Sequence, residues 1–179
     1  LGTEALAVAA SSPVPVDSAL TYDSTNNKLV LGYAVGSPVL YYLVVGTISG
    51  TSFSFGTAVS TGVRLNLTTK NQISYNVAAQ KVVVAGRDDG ASHIQKYVTA
   101  AVSGTTISID SAVTYYSSTS YVSASTYDPD QQKSVLFYAA SSFSNPAVKI
   151  LTVGSTTLTS ENFIGFSNAA YATGQTATI

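Results

Sequence analysis

The chain of 179 residues has no cysteine, no methionine and no tryptophan, and it has a single histidine. Without cysteine, disulfides cannot hold the fold, thiolate zinc sites and cysteine nucleophiles are excluded, and the redox compartment cannot be read. Methionine is missing even at position 1, so the chain is expected to begin at Leu1 by processing or by being cut from something longer. Charge is scarce: 9 % of residues are Asp, Glu, Lys or Arg, against roughly 25 % in an average soluble domain. The net charge is −1 and eight Lys and Arg are spread along the whole length, which makes no basic stripe for nucleic acid. No apolar run approaches the roughly 18 to 20 residues of a membrane helix. The short run Leu6 to Ala10 lacks a basic flank, so it does not read as a signal peptide. No window holds a 3.6-residue period with caps, so no helix is expected.

Hydrophobic residues make up 45 %, which argues against disorder despite the Ser/Thr bias. The abundant Val, Thr and Tyr suit a pleated, half-buried surface, and the length suffices to bury a core. The pattern is threefold. Tyr22-Asp23-Ser24-Thr25-Asn26-Asn27-Lys28, Tyr75-Asn76-Val77-Ala78-Ala79-Gln80-Lys81 and Tyr127-Asp128-Pro129-Asp130-Gln131-Gln132-Lys133 share Tyr, then Asp or Asn, then Lys six positions after the Tyr. The tyrosines, at 22, 75 and 127, are 53 and 52 residues apart. A second marker keeps register with the first: Ile48-Ser49-Gly50-Thr51-Ser52-Phe53, Val102-Ser103-Gly104-Thr105-Thr106-Ile107 and Val153-Gly154-Ser155-Thr156-Thr157-Leu158. A period near 50 marks an array, and a propeller blade is a natural unit of that length.

The middle copy shows the plan. Gln72 to Tyr75 reads as a first strand, and Asn76 to Gln80 as a turn, because Asn and Asp cap their own backbone. Lys81 to Gly86 reads as a second strand, Arg87 to Ser92 as a polar loop and Lys96 to Val102 as a third strand. Ser103-Gly104-Thr105 is a hairpin turn, and Thr106 to Ile109 a fourth strand. The expected fold is therefore all-β: repeated four-stranded antiparallel blades, β-propeller-like, with a β-sandwich or stacked sheets as the alternative. The repeats divide as 17–66, 67–118 and 119–167. Residues 1–16 read as the end of a preceding blade or a linker, and 168–179 as the start of a following segment. Val82, Val84, Val98, Ile107 and Val135 are the expected core. Three copies fall short of the roughly four to eight blades of a closed propeller, so other chains or further polypeptide are expected to cover the open faces, with a homotrimer favoured.

Three stretches carry a resemblance: Leu20 to Val30, Val45 to Gly56, and Glu161-Asn162-Phe163-Ile164-Gly165-Phe166-Ser167-Asn168-Ala169-Ala170-Tyr171. Over roughly residues 17 to 179 the repeat resembles one found in structural proteins of marine, cyanophage-type bacteriophages, including tail-fibre-like proteins. The resemblance implies a virion structural role and a location on the virion surface, and it carries no catalytic residues across. The middle copy departs most, with Asn76 for Asp and its own loop from Arg87 to His93.

The densest ionisable cluster is Arg87, Asp88, Asp89 and His93. It reads either as a recognition or catalytic loop on an open face or, more plainly, as a solvated turn that keeps a low-charge chain soluble. A Ser-His-Asp triad would have to use His93, and no serine sits in a G-x-S-x-G elbow. Asp128-Pro129-Asp130 lacks the glycine and distal Glu of an EF-hand, and reads as a turn. Tyr41, Tyr42, Phe143 and Asn145 lie in or beside the equivalent loops of the other two copies. They suit sugar stacking and hydroxyl binding, though strand packing is the plainer reading for Tyr41 and Tyr42. Asn66-Leu67-Thr68 is a weak glycosylation match. The expectation is a non-enzymatic structural protein, needing no metal or cofactor, whose partners are other virion proteins and a host surface glycan or receptor. The alternatives are a secreted carbohydrate-binding lectin and a polysaccharide-degrading propeller enzyme.

Overall fold

The structure is a computed structural model and describes residues 5–7, 16–36, 38–65, 72–91, 93–120, 123–140 and 145–154. The fold is all-β: three antiparallel sheets, with no helix among the described residues. The first sheet holds β1 (Val16–Asp23), β2 (Lys28–Val35), β3 (Leu40–Ser49), β4 (Ser52–Phe55) and β5 (Val59–Ser60). The second holds β6 (Gln72–Asn76), β7 (Lys81–Asp88), β8 (Ile94–Ser103), β9 (Thr106–Ile109) and β10 (Val113–Tyr116). The third holds β11 (Ser123–Asp128), β12 (Lys133–Ala140) and β13 (Asn145–Leu151). Each is a meander in chain order. In the first two sheets a short extra strand pairs with the third strand: β4 and β5 both pair with β3, and β9 and β10 both pair with β8. The fourth strand of each of these two sheets is thus one edge broken in the middle. The hairpin marker of the third copy from Ser155 onward, Glu161–Tyr171 and the Asn66 sequon lie outside the described residues.

The Tyr-to-Lys motif is the turn between first and second strands in every copy, and its chemistry explains the spacing. Asp23 Oδ1 accepts from the N–H groups of Thr25 and Asn26, and its Oδ2 from the Asn26 amide. Asn76 Oδ1 accepts from the Ala79 N–H, and Asp128 Oδ1 from those of Asp130 and Gln131. A short carboxylate or amide is needed to reach back over the loop. The residue before each lysine, Asn27, Gln80 or Gln132, sits at φ 54°, 53° or 53°. That left-handed step brings the chain round so that Lys28 pairs with Asp23, Lys81 with Asn76 and Lys133 with Asp128. The second marker closes a two-residue hairpin with a glycine at its first position, Gly50 or Gly104, both at φ 60°, as the twist of flanking strands prefers.

The sheets pack face to face. They approach along their first strands, β1 against β6 and β6 against β11. Alternate residues of β7 serve different neighbours: Val82 and Val84 join the first sheet's Val30, Ala34, Tyr41, Leu43 and Val45 in one core, whereas Val83 and Ala85 join the third sheet's Leu136 in another. A strand covered on both faces loses the alternation of a half-solvated strand, and Lys81–Asp88 is accordingly buried at every residue after its half-buried lysine. Polar contacts tie the layers. Tyr75 lies beside Asp23 and Thr25 of the first sheet, and Asn76 Nδ2 donates to Ser134 Oγ of the third at 2.9 Å. At Gly56 an added Cβ would collide with the Thr105 carbonyl of the second sheet. Of the expected core, Val82, Val84, Val98 and Ile107 are buried. Val135 is only half-buried, because it points away from the second sheet while its neighbour Leu136 fills the core.

Candidate functional site

The site begins as an irregularity of the second sheet. The loop expected from Arg87 starts later, because β7 continues through Arg87 and Asp88, paired with Gln95 and Ile94 of β8. Backbone pairing is satisfied there while the side chains are charged, so burial demands partners. Lys96 Nζ sits 2.7 Å from Asp88 Oδ2, and Asp88 Oδ1 accepts from the Gly90 N–H at 2.9 Å. Arg87 Nε donates to Asp89 Oδ1 at 3.0 Å, and His93 Nε2 lies 3.6 Å from the same oxygen. Arg87 and Asp88 are buried, which corrects the solvated-turn reading. The tight connection beyond β7 carries the exposed members, Asp89 and His93, with His93 held at φ 61°.

A strap from the first sheet locks this corner. After β5 the chain runs alongside β3, where Thr61 N donates to the Tyr41 carbonyl and Tyr41 N to the Val63 carbonyl. It then crosses to the second sheet, where Asp89 N donates to the Arg64 carbonyl and Leu65 bridges Asp88. Exposed Arg64 lies against Gly90, leaving little room there for a larger residue. The equivalent strap after the second sheet is tied by Gln95 Nε2, which donates to the Ser120 carbonyl at 3.1 Å. Gln95 Oε1 accepts from the Tyr115 hydroxyl at 3.0 Å.

The other candidates part company. Tyr41 is fully buried in the core between first and second sheets, its ring over Gly32; burial chiefly, with Asp17 adding, raises its hydroxyl pKa. Tyr41 is thereby corrected from a candidate ligand contact to a packing residue. Tyr42 projects to the opposite side of β3, half-buried and stacked on Tyr33 at 5.8 Å. Asn145 opens β13, exposed and paired with Ala140. Phe143 lies outside the described residues. Arg87, Asp88, Asp89 and His93 are brought together, whereas Tyr41 and Tyr42 lie within β3 of the first sheet and Asn145 opens β13 of the third. Sequence reasoning missed Lys96 and Arg64, because one is a strand residue and the other lies in a connector; the charge balance of a buried Asp88 was the available signal.

Chemically, both carboxylates of the acidic pair are engaged, Asp88 by Lys96 and a backbone N–H, Asp89 by Arg87. The solvent-facing groups of this corner are Arg64, the edge of Asp89 and His93, a mixed-charge surface. Among the described residues no three His, Asp or Glu side chains are grouped to hold a metal ion, and no helix is long and apolar enough to cross a membrane. Comparison with protein-family models, with curated proteins and with solved structures gives no match.

Proposed function

We propose that the chain is a non-enzymatic structural protein of a virion, a fibre or surface appendage, whose three sheets are propeller-like blades that display loops for host-surface attachment. The observation that carries this reading is the stack itself. Three antiparallel sheets pack face to face, and the sequence places a differently composed second-to-third-strand connection at the same point of each copy. A rigid frame with interchangeable loops suits adhesion, in which several shallow contacts multiplied by copy number replace one deep site. The first strands lie closest together, as inner strands of blades around an axis do. The resemblance to marine phage structural proteins points the same way and suggests other virion proteins as neighbours.

The enzyme alternative needs a free acid and base aimed at one substrate. The only adjacent acids in the cluster are instead held in charge pairs with Arg87 and Lys96, which favours recognition over hydrolysis. A lectin with equivalent sites is disfavoured by the unlike connections, Arg87-Asp88-Asp89-Gly90 in one copy and Val35-Gly36-Ser37-Pro38 in another.

The test uses exposed groups whose loss leaves the frame intact. The chain and the variant His93→Ala/Asn145→Ala/Arg64→Ala are displayed on beads and measured for binding to a panel of bacterial surface polysaccharides and for release of reducing sugar. The reading predicts binding by the parent, its loss in the variant, and no sugar release. Sugar release by the parent would overturn the non-enzymatic role, and binding that ignores the three substitutions would overturn the loop-display mechanism.

A further inference from the structure

The repeat register shows that each sheet has two unlike faces, one toward the preceding sheet and one toward the following, and that the former is partly open on the first sheet and the latter on the third. Aligned on Lys28, Lys81 and Lys133, Val82 and Val84 of the second sheet correspond to Ser134 and Leu136 of the third: all four face the preceding sheet and are buried. Their counterparts in the first sheet, Leu29 and Leu31, are only half-buried. Beside them on the same face, Leu20 is 56 % and Ile48 61 % exposed. Tyr22 is 51 % exposed where its counterpart Tyr75 is 7 %. The opposite face behaves conversely. Val30 and Val83 face the following sheet and are fully buried, whereas Val135 is half-buried and its cross-strand partner Ile150 is 66 % exposed. Val148, beside Phe137, is 60 % exposed.

We propose that these two open faces dock on each other between two copies of this chain, head to tail, so that the first sheet of each copy covers the third sheet of the other. The occupant follows from the interface already built twice within the chain. The open face of the first sheet occupies the register positions that the second and third sheets use to bind their predecessors. The open face of the third sheet occupies those that the first and second use to bind their successors. Such a contact is heterologous, and heterologous contacts close into rings when the rotation allows. Two copies bring six sheets, within the roughly four to eight of closed propellers, whereas the three copies expected from a fibre would bring nine into one ring. Tyr22 of one copy would then stand beside the Asp128 turn of the other, as Tyr75 stands beside Asp23. The inference rests on the propeller reading of the sheets and not on the attachment role, so loss of polysaccharide binding would leave it untouched.

Sedimentation velocity from about 1 to 100 µM, the range in which weak to moderate associations declare themselves, tests it with Leu20→Lys and Ile150→Lys. Both residues are exposed in the single chain, so both variants should fold; Ile48→Lys and Val148→Lys replace either that does not. The parent should sediment at twice 18.4 kDa, and each variant alone at the mass of one chain. Mixing the two variants should restore a two-chain species, because Ile150→Lys keeps the leading face and Leu20→Lys the trailing face. A parent that stays monomeric, a species of three copies, or a single variant that still pairs with itself would each overturn the proposal. The last outcome would mean that like faces meet like, and the first that this chain's remaining segments or another protein covers the faces.

Discussion

Replacing Val83 by alanine, and separately Val84 by alanine, should destabilise the protein by similar amounts. The two residues are neighbours on β7 and point in opposite directions, Val83 toward the third sheet and Val84 toward the first, at 0 % and 1 % exposure. Each change removes two buried carbons, about 1.6 kcal/mol of transfer free energy at roughly 0.8 kcal/mol per methylene. An unfilled cavity raises the total to about 2–3 kcal/mol. The assay is urea denaturation, with the midpoint read at an unchanged slope so that the native and denatured ensembles stay comparable. In a sheet with one solvated face, one of the two substitutions would fall within about 0.5 kcal/mol of neutral, as surface changes do. A large cost at one position and none at the other would therefore refute the two-sided burial of the middle sheet.

The turn caps should divide by burial. Asp23→Ala removes a fully buried carboxylate that holds two N–H groups and an amide, and should cost about 1–3 kcal/mol, whereas Asp128→Ala, in an exposed turn, should cost less than about 1 kcal/mol by thermal or urea denaturation. At high pH the Tyr75 hydroxyl contributes. Burial, as the largest cause, pushes its pKa from 10.0 up to about 12, with Thr25 lowering it and Asp23 raising it by smaller amounts. The raised folded-state value means that its contribution is complete below pH 10 and is lost as pH rises through about 12, an effect on the order of 2 kcal/mol. Tyr75→Phe should flatten the alkaline limb of a stability-versus-pH curve, and an unchanged limb would count against the buried phenol. Asp110 works in the other direction. Its hydrogen bonds to Lys81 and then Thr99 lower its pKa, so Asp110→Asn should remove a small contribution present at neutral pH and lost as pH falls below the ordinary carboxylate range.

The repeated turn was legible because its chemistry is local: an Asp or Asn that caps its own loop, a left-handed residue, and a lysine that re-enters the strand. The hairpin glycines were legible for the same reason. What the sequence hid depends on partners distant along the chain. Arg87 and Asp88 read as loop because charge favours solvent, yet Lys96 and the strap at Arg64 make that strand end a buried corner. Val82 to Val84 announced a strand but not that its two faces belong to different cores. Val135 and Leu136 are both apolar, and only the order of the stack decides which is inside. The broken fourth strand escaped notice because β5 and β10 are too short to show a period. Tyr41 and Tyr42 differ by one position and therefore by one face of the sheet, which separates a buried residue from a half-exposed one.

The face-to-face stack is the claim on which the rest depends, and a cysteine pair tests it most directly. Asn76 and Ser134 lie 58 positions apart in sequence, with side-chain atoms 2.9 Å apart across the second and third sheets. The parent chain has no cysteine, so in Asn76→Cys/Ser134→Cys any disulfide must join these two positions or two chains. Mild oxidation followed by non-reducing electrophoresis and intact mass should give an intramolecular disulfide in the folded protein, absent under denaturant at the same oxidant concentration. Two thiols that stay free in the folded protein, or that link only between chains, would contradict the stacking of these sheets.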